Sequence, residues 1–236
     1  MRAVVLAGGK GTRLKPYTIS FPKPLVPIGD YPILEIIIRQ LAIYDFKKIT
    51  ISTGHLAELI EAYFNNGIRW GVNINYVREE RPLNTAGALK LLTDNDEHFL
   101  VINGDILTTL NYREMFDLHI KNRAKATIAV TKRQSKIDFG VLYFDEEGFL
   151  KEYSEKPVYD FFVSMGVYII SKECVELIKE GESIGMPDFF SRIMASGEKV
   201  YCHKSDCYWL DIGRIDDYEK AQDEFETNKS LFIKDE

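Results

Sequence analysis

Cysteine is scarce in this chain: Cys174, Cys202 and Cys207 are the only three, and no Cys-x-x-Cys spacing occurs. So small and odd a number excludes a disulfide framework and suits thiols kept in a reducing compartment. The four histidines, His55, His98, His119 and His203, are scattered, and none forms a His–Cys pair with zinc spacing. No apolar run approaches the length that spans a bilayer. The greasiest stretch, Ile33–Ile38, is interrupted by Glu35 and followed by Arg39, and reads as a buried helix. The opening lacks the order of a secretory leader, so a cytoplasmic location is expected and no membrane partner. No Gly-, Ser- or Pro-rich linker and no internal repeat divides the 236 residues. No coiled coil or apolar stripe marks an interface with another chain. Positive charge is not in excess: 30 Lys and Arg face 36 Asp and Glu, which argues against a general nucleic-acid binder.

The most informative absence is local. No Asp or Glu occurs before Asp30, while Arg2, Lys10, Arg13, Lys15 and Lys23 all fall within the first 29 residues. In a chain of net charge −6 this is an inversion. The run Ala3–Ala7 is short, apolar and partly β-branched, and it ends in glycine, as a buried strand does. Gly8, Gly9 and Gly11 then let backbone amides approach a ligand closely. Glycine amides beside unopposed cations describe a polyphosphate site. Two familiar phosphate loops do not fit. A dinucleotide fingerprint starting at Gly9 needs glycine at position 14, which is Leu14. A P-loop needs Ser or Thr directly after Lys10, and Gly11 stands there.

Along the chain, strand-like runs at 48–53, 72–77 and 99–102 alternate with helical spacing at 33–45, 55–66 and 85–92. Such alternation predicts a parallel sheet with helices on both faces. After about residue 124 the pattern becomes β-rich, with strands near 127–131, 141–144, 150–153 and 161–170, then helices near 172–179, 187–196 and 214–227. The expectation is a single α/β domain, 1–236, with two lobes. One covers about 1–124 and returns near 199–236; the other, β-rich, covers about 125–198. The tail from Glu224 to Glu236 mixes charges and reads as a frayed end or surface helix.

Asp105 follows the strand at 99–102 within Asn103-Gly104-Asp105. Ligands of open α/β sheets gather at the carboxyl ends of strands, so a carboxylate there is placed to hold Mg²⁺. Lys23 stands between Pro22 and Pro24, which stiffen its backbone.

Leu6-Ala7-Gly8-Gly9-Lys10-Gly11-Thr12-Arg13-Leu14, followed by Phe21-Pro22-Lys23-Pro24-Leu25, resembles the opening of the sugar-1-phosphate nucleotidylyltransferases, or nucleotide-sugar pyrophosphorylases. The likeness continues through Leu83–Ala88, Asn103–Asp105, Glu155-Lys156-Pro157 and Trp209–Gly213. In pattern it is nearest the mannose-1-phosphate guanylyltransferase branch, because Thr85-Ala86-Gly87 matches that branch, but without the C-terminal left-handed β-helix.

The resemblance implies a Rossmann-like, doubly wound, mostly parallel sheet with a β-rich sugar-binding lobe. It implies condensation of a nucleoside triphosphate, GTP first, with a mannose- or heptose-like 1-phosphate, giving the nucleotide sugar and pyrophosphate with Mg²⁺. UTP, CTP or dTTP with another sugar 1-phosphate is the alternative. A non-catalytic, nucleotide-sugar-binding regulatory relative would have lost a phosphate cation or a metal carboxylate, and Arg13, Lys23, Asp105 and Asp211 are all present. By resemblance, Arg13 and Lys23 are catalytic. The nucleotide falls to Leu6, Ala7, Gly8, Gly9, Gly11, Thr12, Arg13, Lys23, Thr85, Gly87 and Gly104. The sugar phosphate falls to Gly140, Glu155, Lys156 and Gly166, and the metal to Asp105 and Asp211. Homo-oligomers are frequent in the family. Two positions depart from its pattern: Ser164 stands where asparagine is usual before x-Gly, and Asn84 where glycine is usual.

Overall fold

The computed structural model describes residues 1–93 and 96–233. The chain opens on β1 (Arg2–Ala7), whose apolar residues are buried from both sides. Three short 3₁₀ turns carry it to a two-residue antiparallel pair, β2 (Pro27–Ile28) and β3 (Tyr31–Pro32). Pro32 caps α1 (Ile33–Ile43), which buries its isoleucines almost all round. Then follow β4 (Lys48–Thr53), α2 (Ala57–Phe64), β5 (Asn73–Arg78), α3 (Asn84–Gly87), β6 (His98–Asn103), β7 (Ile106–Thr108), α4 (Tyr112–Lys121) and β8 (Ala126–Lys136). The hairpin β9 (Val141–Phe144) and β10 (Leu150–Ser154) leads into β11 (Val158–Ser171). The chain closes with α5 (Lys172–Val175), α6 (Met186–Ala195), β12 (Val200–Lys204), β13 (Trp209–Asp211) and α7 (Ile215–Phe232).

Seven strands form one sheet in the order β12-β8-β11-β6-β1-β4-β5. All neighbours are parallel except those of β11, which runs against both β6 and β8. Alternate residues of β1 face opposite layers. Ala3, Val5 and Ala7 meet α1, α2, α4 and α7. Val4 meets Leu89 and residues of α5 and α6. A sheet covered on both faces needs apolar residues at consecutive positions, which is why the parallel strands read as unbroken runs. The expected doubly wound, mostly parallel architecture is therefore present.

Strand order also locates the crevice. From β1 the chain winds through β4 and β5 on one side, then crosses back to place β6 on the other. The gap beyond the carboxyl ends of β1 and β6 is a topological switch point, where such sheets bind ligands.

Three expectations need correction. The β-rich segment is not separated from the sheet. The inner parts of β8 and β11 are central strands, and only their outer parts, with the β9–β10 hairpin, project from it. The boundary drawn at residue 125 therefore cuts through the sheet. The tail is a helix with an exposed polar side, as read, but as far as residue 233 it is not frayed: Phe225, Phe232 and Ile233 anchor it in the main core, and residues 234–236 lie outside the described residues. Finally, the helix read over 85–92 is one turn of α-helix followed by a 3₁₀ turn, Ala88–Leu91.

Candidate active site

Four parallel strands deliver their carboxyl ends to one cavity of about 770 Å³. After β1 come Leu6, Ala7, Gly8, Gly9 and Lys10; after β4, Gly54 and His55; after β5, Arg78 to Pro82; after β6, Asn103, Gly104 and Asp105. Lys23, Pro24, Asn84 and Thr85 complete the wall. Four Lys and Arg side chains line it against three carboxylates, so the cavity is locally cationic in an acidic chain.

The glycine loop is shaped by contact. A Cβ on Gly8 would lie 2.6 Å from Glu79 Oε1, so a side chain there would displace the glutamate. Gly11 adopts φ +59°, and a Cβ on it would press within 2.9 Å of Lys23 Cβ. Only glycine meets both demands cheaply. Thr18 Oγ1 donates to the Gly11 carbonyl at 2.8 Å, closing the loop over Lys23.

Lys23 is buried, and its ammonium donates to Asp105 Oδ2 at 2.5 Å. The other Asp105 oxygen, Oδ1, is buried without a hydrogen-bond partner. Strand pairing brings the second carboxylate beside it: β13 runs antiparallel to β7 with Asp211 opposite Ile106, and the Ile212 amide donates to the Asp105 carbonyl at 3.0 Å. Arg13 reaches the same place, since a Cβ on Gly213 would lie 3.5 Å from its Nη1. Asp211 keeps a solvent-facing side, but the protein enclosing its other side raises its carboxyl pKa, and the charge of Asp105 raises it further. Lys23 and Arg13 pull it back down. Arg13, Lys23, Asp105 and Asp211 thus act on one another at a single place.

The remaining expected residues divide. Leu6, Ala7, Gly8, Gly9, Thr85 and Gly104 line the cavity with Lys23 and Asp105. Gly11, Thr12 and Arg13, in the turn that follows, are not part of its wall, and neither is Asp211. Gly87 is a correction: it is buried, its amide donates to the Ile184 carbonyl at 3.1 Å, and a Cβ would strike the Glu182 carbonyl at 2.4 Å. It packs α3 onto the 182–184 segment and turns no face to the cavity. Gly140 also differs from the open approach expected of it, because a Cβ there would meet the Tyr153 hydroxyl at 2.4 Å. Tyr153 donates to Glu155 Oε2 at 3.1 Å, so Gly140, Tyr153 and Glu155 form one cluster on the projecting hairpin, with exposed Lys156 beside it. Gly166, at φ +71°, abuts Asn103 of the cavity wall. It lies in a register shift of β11 that Trp209 pins by donating to the Met165 carbonyl at 2.8 Å.

Sequence reasoning missed Gly54, His55 and Glu79. Glu79 accepts from Ser52 Oγ and from the Leu83 amide, both at 3.0 Å, and so couples β4 to the α3 loop. The strand-end rule that found Asp105 would have found these residues, applied to the strands at 48–53 and 72–77.

A family model described as nucleotidyl transferase matches residues 2–228. The chain belongs to the nucleotidyl transferase family. A D-glycero-α-D-manno-heptose 1-phosphate guanylyltransferase of Aneurinibacillus thermoaerophilus is 34% identical to this family member, with 96% of this chain and 99% of that one covered. A UTP–glucose-1-phosphate uridylyltransferase of Synechocystis is also 34% identical over 94% of this chain, which spans 62% of that relative's length. The solved structure of HddC from Yersinia pseudotuberculosis complexed with GMP-PN superposes with a TM-score of 0.72 at 25% identity, covering 95% of this chain and 99% of that one. The resemblance to sugar-1-phosphate nucleotidylyltransferases read from the glycine loop is borne out by these family matches.

Proposed function

We propose that this nucleotidyl transferase joins a sugar 1-phosphate to the α-phosphorus of a nucleoside triphosphate. The observation that carries the reading is the convergence of Arg13 and Lys23 with Asp105 and Asp211 beside a glycine-floored, cationic cavity. A phosphate oxygen of the sugar 1-phosphate attacks the α-phosphorus in line. The bond from that phosphorus to the bridging oxygen breaks, and pyrophosphate leaves with the electron pair. The nucleophile, with a second pKa of about 6, is already largely ionised near neutrality, so no general base is required. The protein's work is alignment and charge neutralisation. The fork of Arg13 suits the β- and γ-phosphates and the departing pyrophosphate. Lys23, fixed in the wall, faces the α-phosphate.

The residues fit Mg²⁺. The charge of Asp105 opposes the ionisation of Asp211, and Asp105 Oδ1 is buried and unpartnered. A pair rather than a cage suits a cation that completes its shell with water and substrate phosphates. Asp105 and Asp211 would hold Mg²⁺, which would offset negative charge on the substrate phosphates. Lys156 and Glu155, on the projecting hairpin, are the proposed contacts to the sugar phosphate and a sugar hydroxyl, with Gly166, which abuts Asn103, the third.

We take GTP and a mannose- or heptose-like 1-phosphate first, supported by the guanylyltransferase relative that matches along nearly its whole length. The equally identical uridylyltransferase supports UTP with a hexose 1-phosphate as the second reading. Pyrophosphate release from GTP, UTP, CTP and dTTP, each offered several sugar 1-phosphates with Mg²⁺, tests both. GTP-dependent turnover is the expected result. Turnover with UTP alone overturns the base assignment, and no turnover with any pair overturns the activity.

A further inference from the structure

Asn103 closes β6 where the cavity meets β11. Strand register sets it beside Leu6 of β1, and it lines the cavity two residues before Asp105. Its carboxamide Oδ1 is buried and accepts from no group of the described chain. An unmade buried acceptor costs stability, whereas an apolar side chain of the same shape would leave none behind. The amide is therefore no device of the fold. Its surroundings make room for it all the same. Gly166, at φ +71°, has no side chain to offer, and a Cβ there would lie 2.7 Å from Asn103 Nδ2 and 2.6 Å from Ile106 Cδ1. The other polar side chains that meet at this corner are taken. Asp105 accepts from Lys23. Ser164 donates its hydroxyl to that of Tyr168 at 3.2 Å and accepts from the Gly166 amide at 3.3 Å, so it is spent within β11.

We propose that Asn103 is a specificity-determining residue whose carboxamide hydrogen-bonds the C2 hydroxyl of the sugar 1-phosphate. The inference rests on the function proposed above and adds to it the group that is read. A carboxamide carries a donor at one end and an acceptor at the other, and a hydroxyl is both, so the two match in either sense. A phosphate offers acceptors alone and is better served by the cations Arg13 and Lys23. The segments at 78–82 and 84–85 form a separate part of the cavity wall, after β5, which leaves the sugar to the corner between β6 and β11. Asp105 marks the place of the phosphates, and the hydroxyl next to an anomeric phosphate is the one on C2. A site that spends a buried polar group on a substrate hydroxyl rejects the analogue that lacks it, because the group is then left unpaired.

The test compares wild type with Asn103→Leu on the sugar 1-phosphate that wild type turns over best and on the 2-deoxy analogue of that compound. Wild type is expected to favour the 2-hydroxy substrate at least about 100-fold in kcat/KM. The variant is expected to lose at least about 30-fold on the 2-hydroxy substrate, while the 2-deoxy compound and the KM for nucleotide stay within about threefold. Its denaturation midpoint is expected to equal or exceed that of wild type, since the orphaned oxygen is gone. Asn103→Ala gives the same comparison should leucine prevent folding. A variant as active as wild type overturns the proposal, and so does one that loses both substrates equally. Wild-type turnover that ignores the C2 hydroxyl overturns it while leaving the proposed activity standing. Wild type that turns over no nucleotide and sugar phosphate overturns both.

Discussion

Strand β11 crosses two regions built on opposite terms. From Met165 to Ser171 it is buried, locked between β6 and the inner half of β8. From Val158 to Phe162 it is exposed, and it pairs only with the outer half of β8. Inside, each residue is fixed by neighbours above, below and on both sides. Outside, a two-stranded ribbon leaves its side chains largely exposed, with few contacts beyond that of the Tyr159 hydroxyl to Tyr143 of the hairpin. The cationic cavity and the carboxylate pair stand at the ends of the first kind of strand, and the Gly140–Tyr153–Glu155 cluster stands on the second. Groups proposed to be held against phosphates rest on the rigid half, whereas groups proposed to meet the variable sugar rest on the half with the fewest restraints.

The largest expected effect falls at the rigid end. Asp105→Asn and Arg13→Ala are each expected to lower turnover about 10²–10³-fold at saturating Mg²⁺, with the denaturation midpoint little changed. Pyrophosphate release beside a chemical melt checks both, and a turnover near wild type breaks the assignment of that residue. Next is the buried part of β11, where Ile169→Ala is expected to cost about 2–5 kcal/mol in a denaturant titration. Smaller is Lys156→Ala, expected to raise the KM for the sugar phosphate about tenfold, a charge-assisted contact's worth, while the KM for nucleotide stays put. Equal changes in both would break the division between the two regions. The smallest is Val158→Ala in the exposed part of β11, expected to stay within about 0.5 kcal/mol of wild type in the same titration. A cost like that of Ile169→Ala would mean that the ribbon is not open in solution.

The strands of the rigid half were legible because burial on two faces writes an unbroken apolar run, as in Ala3–Ala7 and Phe99–Ile102. The motifs at their ends were legible because they are contiguous. What depends on strand order was not. Gly54, His55 and Glu79 enter the cavity only because β4 and β5 lie beside β1, which no local pattern states. Helix α4 escaped notice because its inward face is only Tyr112, Met115 and His119 among charged residues. Its signal was the cap, in which Asn111 Oδ1 accepts from the Glu114 amide. The tail misled in the same way: Phe225 and Phe232 are widely spaced anchors in a polar helix.

The loops after β1, β4 and β6 touch one another through bare peptide. Gly54 has no room for a Cβ against the Gly8 carbonyl, 2.8 Å away, and Gly104 donates to the Leu6 carbonyl at 2.9 Å while crowding it. A surface made of main chain cannot be retuned one substitution at a time. Under the proposed function, a choice of base would be written around the opening, where Arg78, Glu80 and Arg81 project side chains rather than bare peptide.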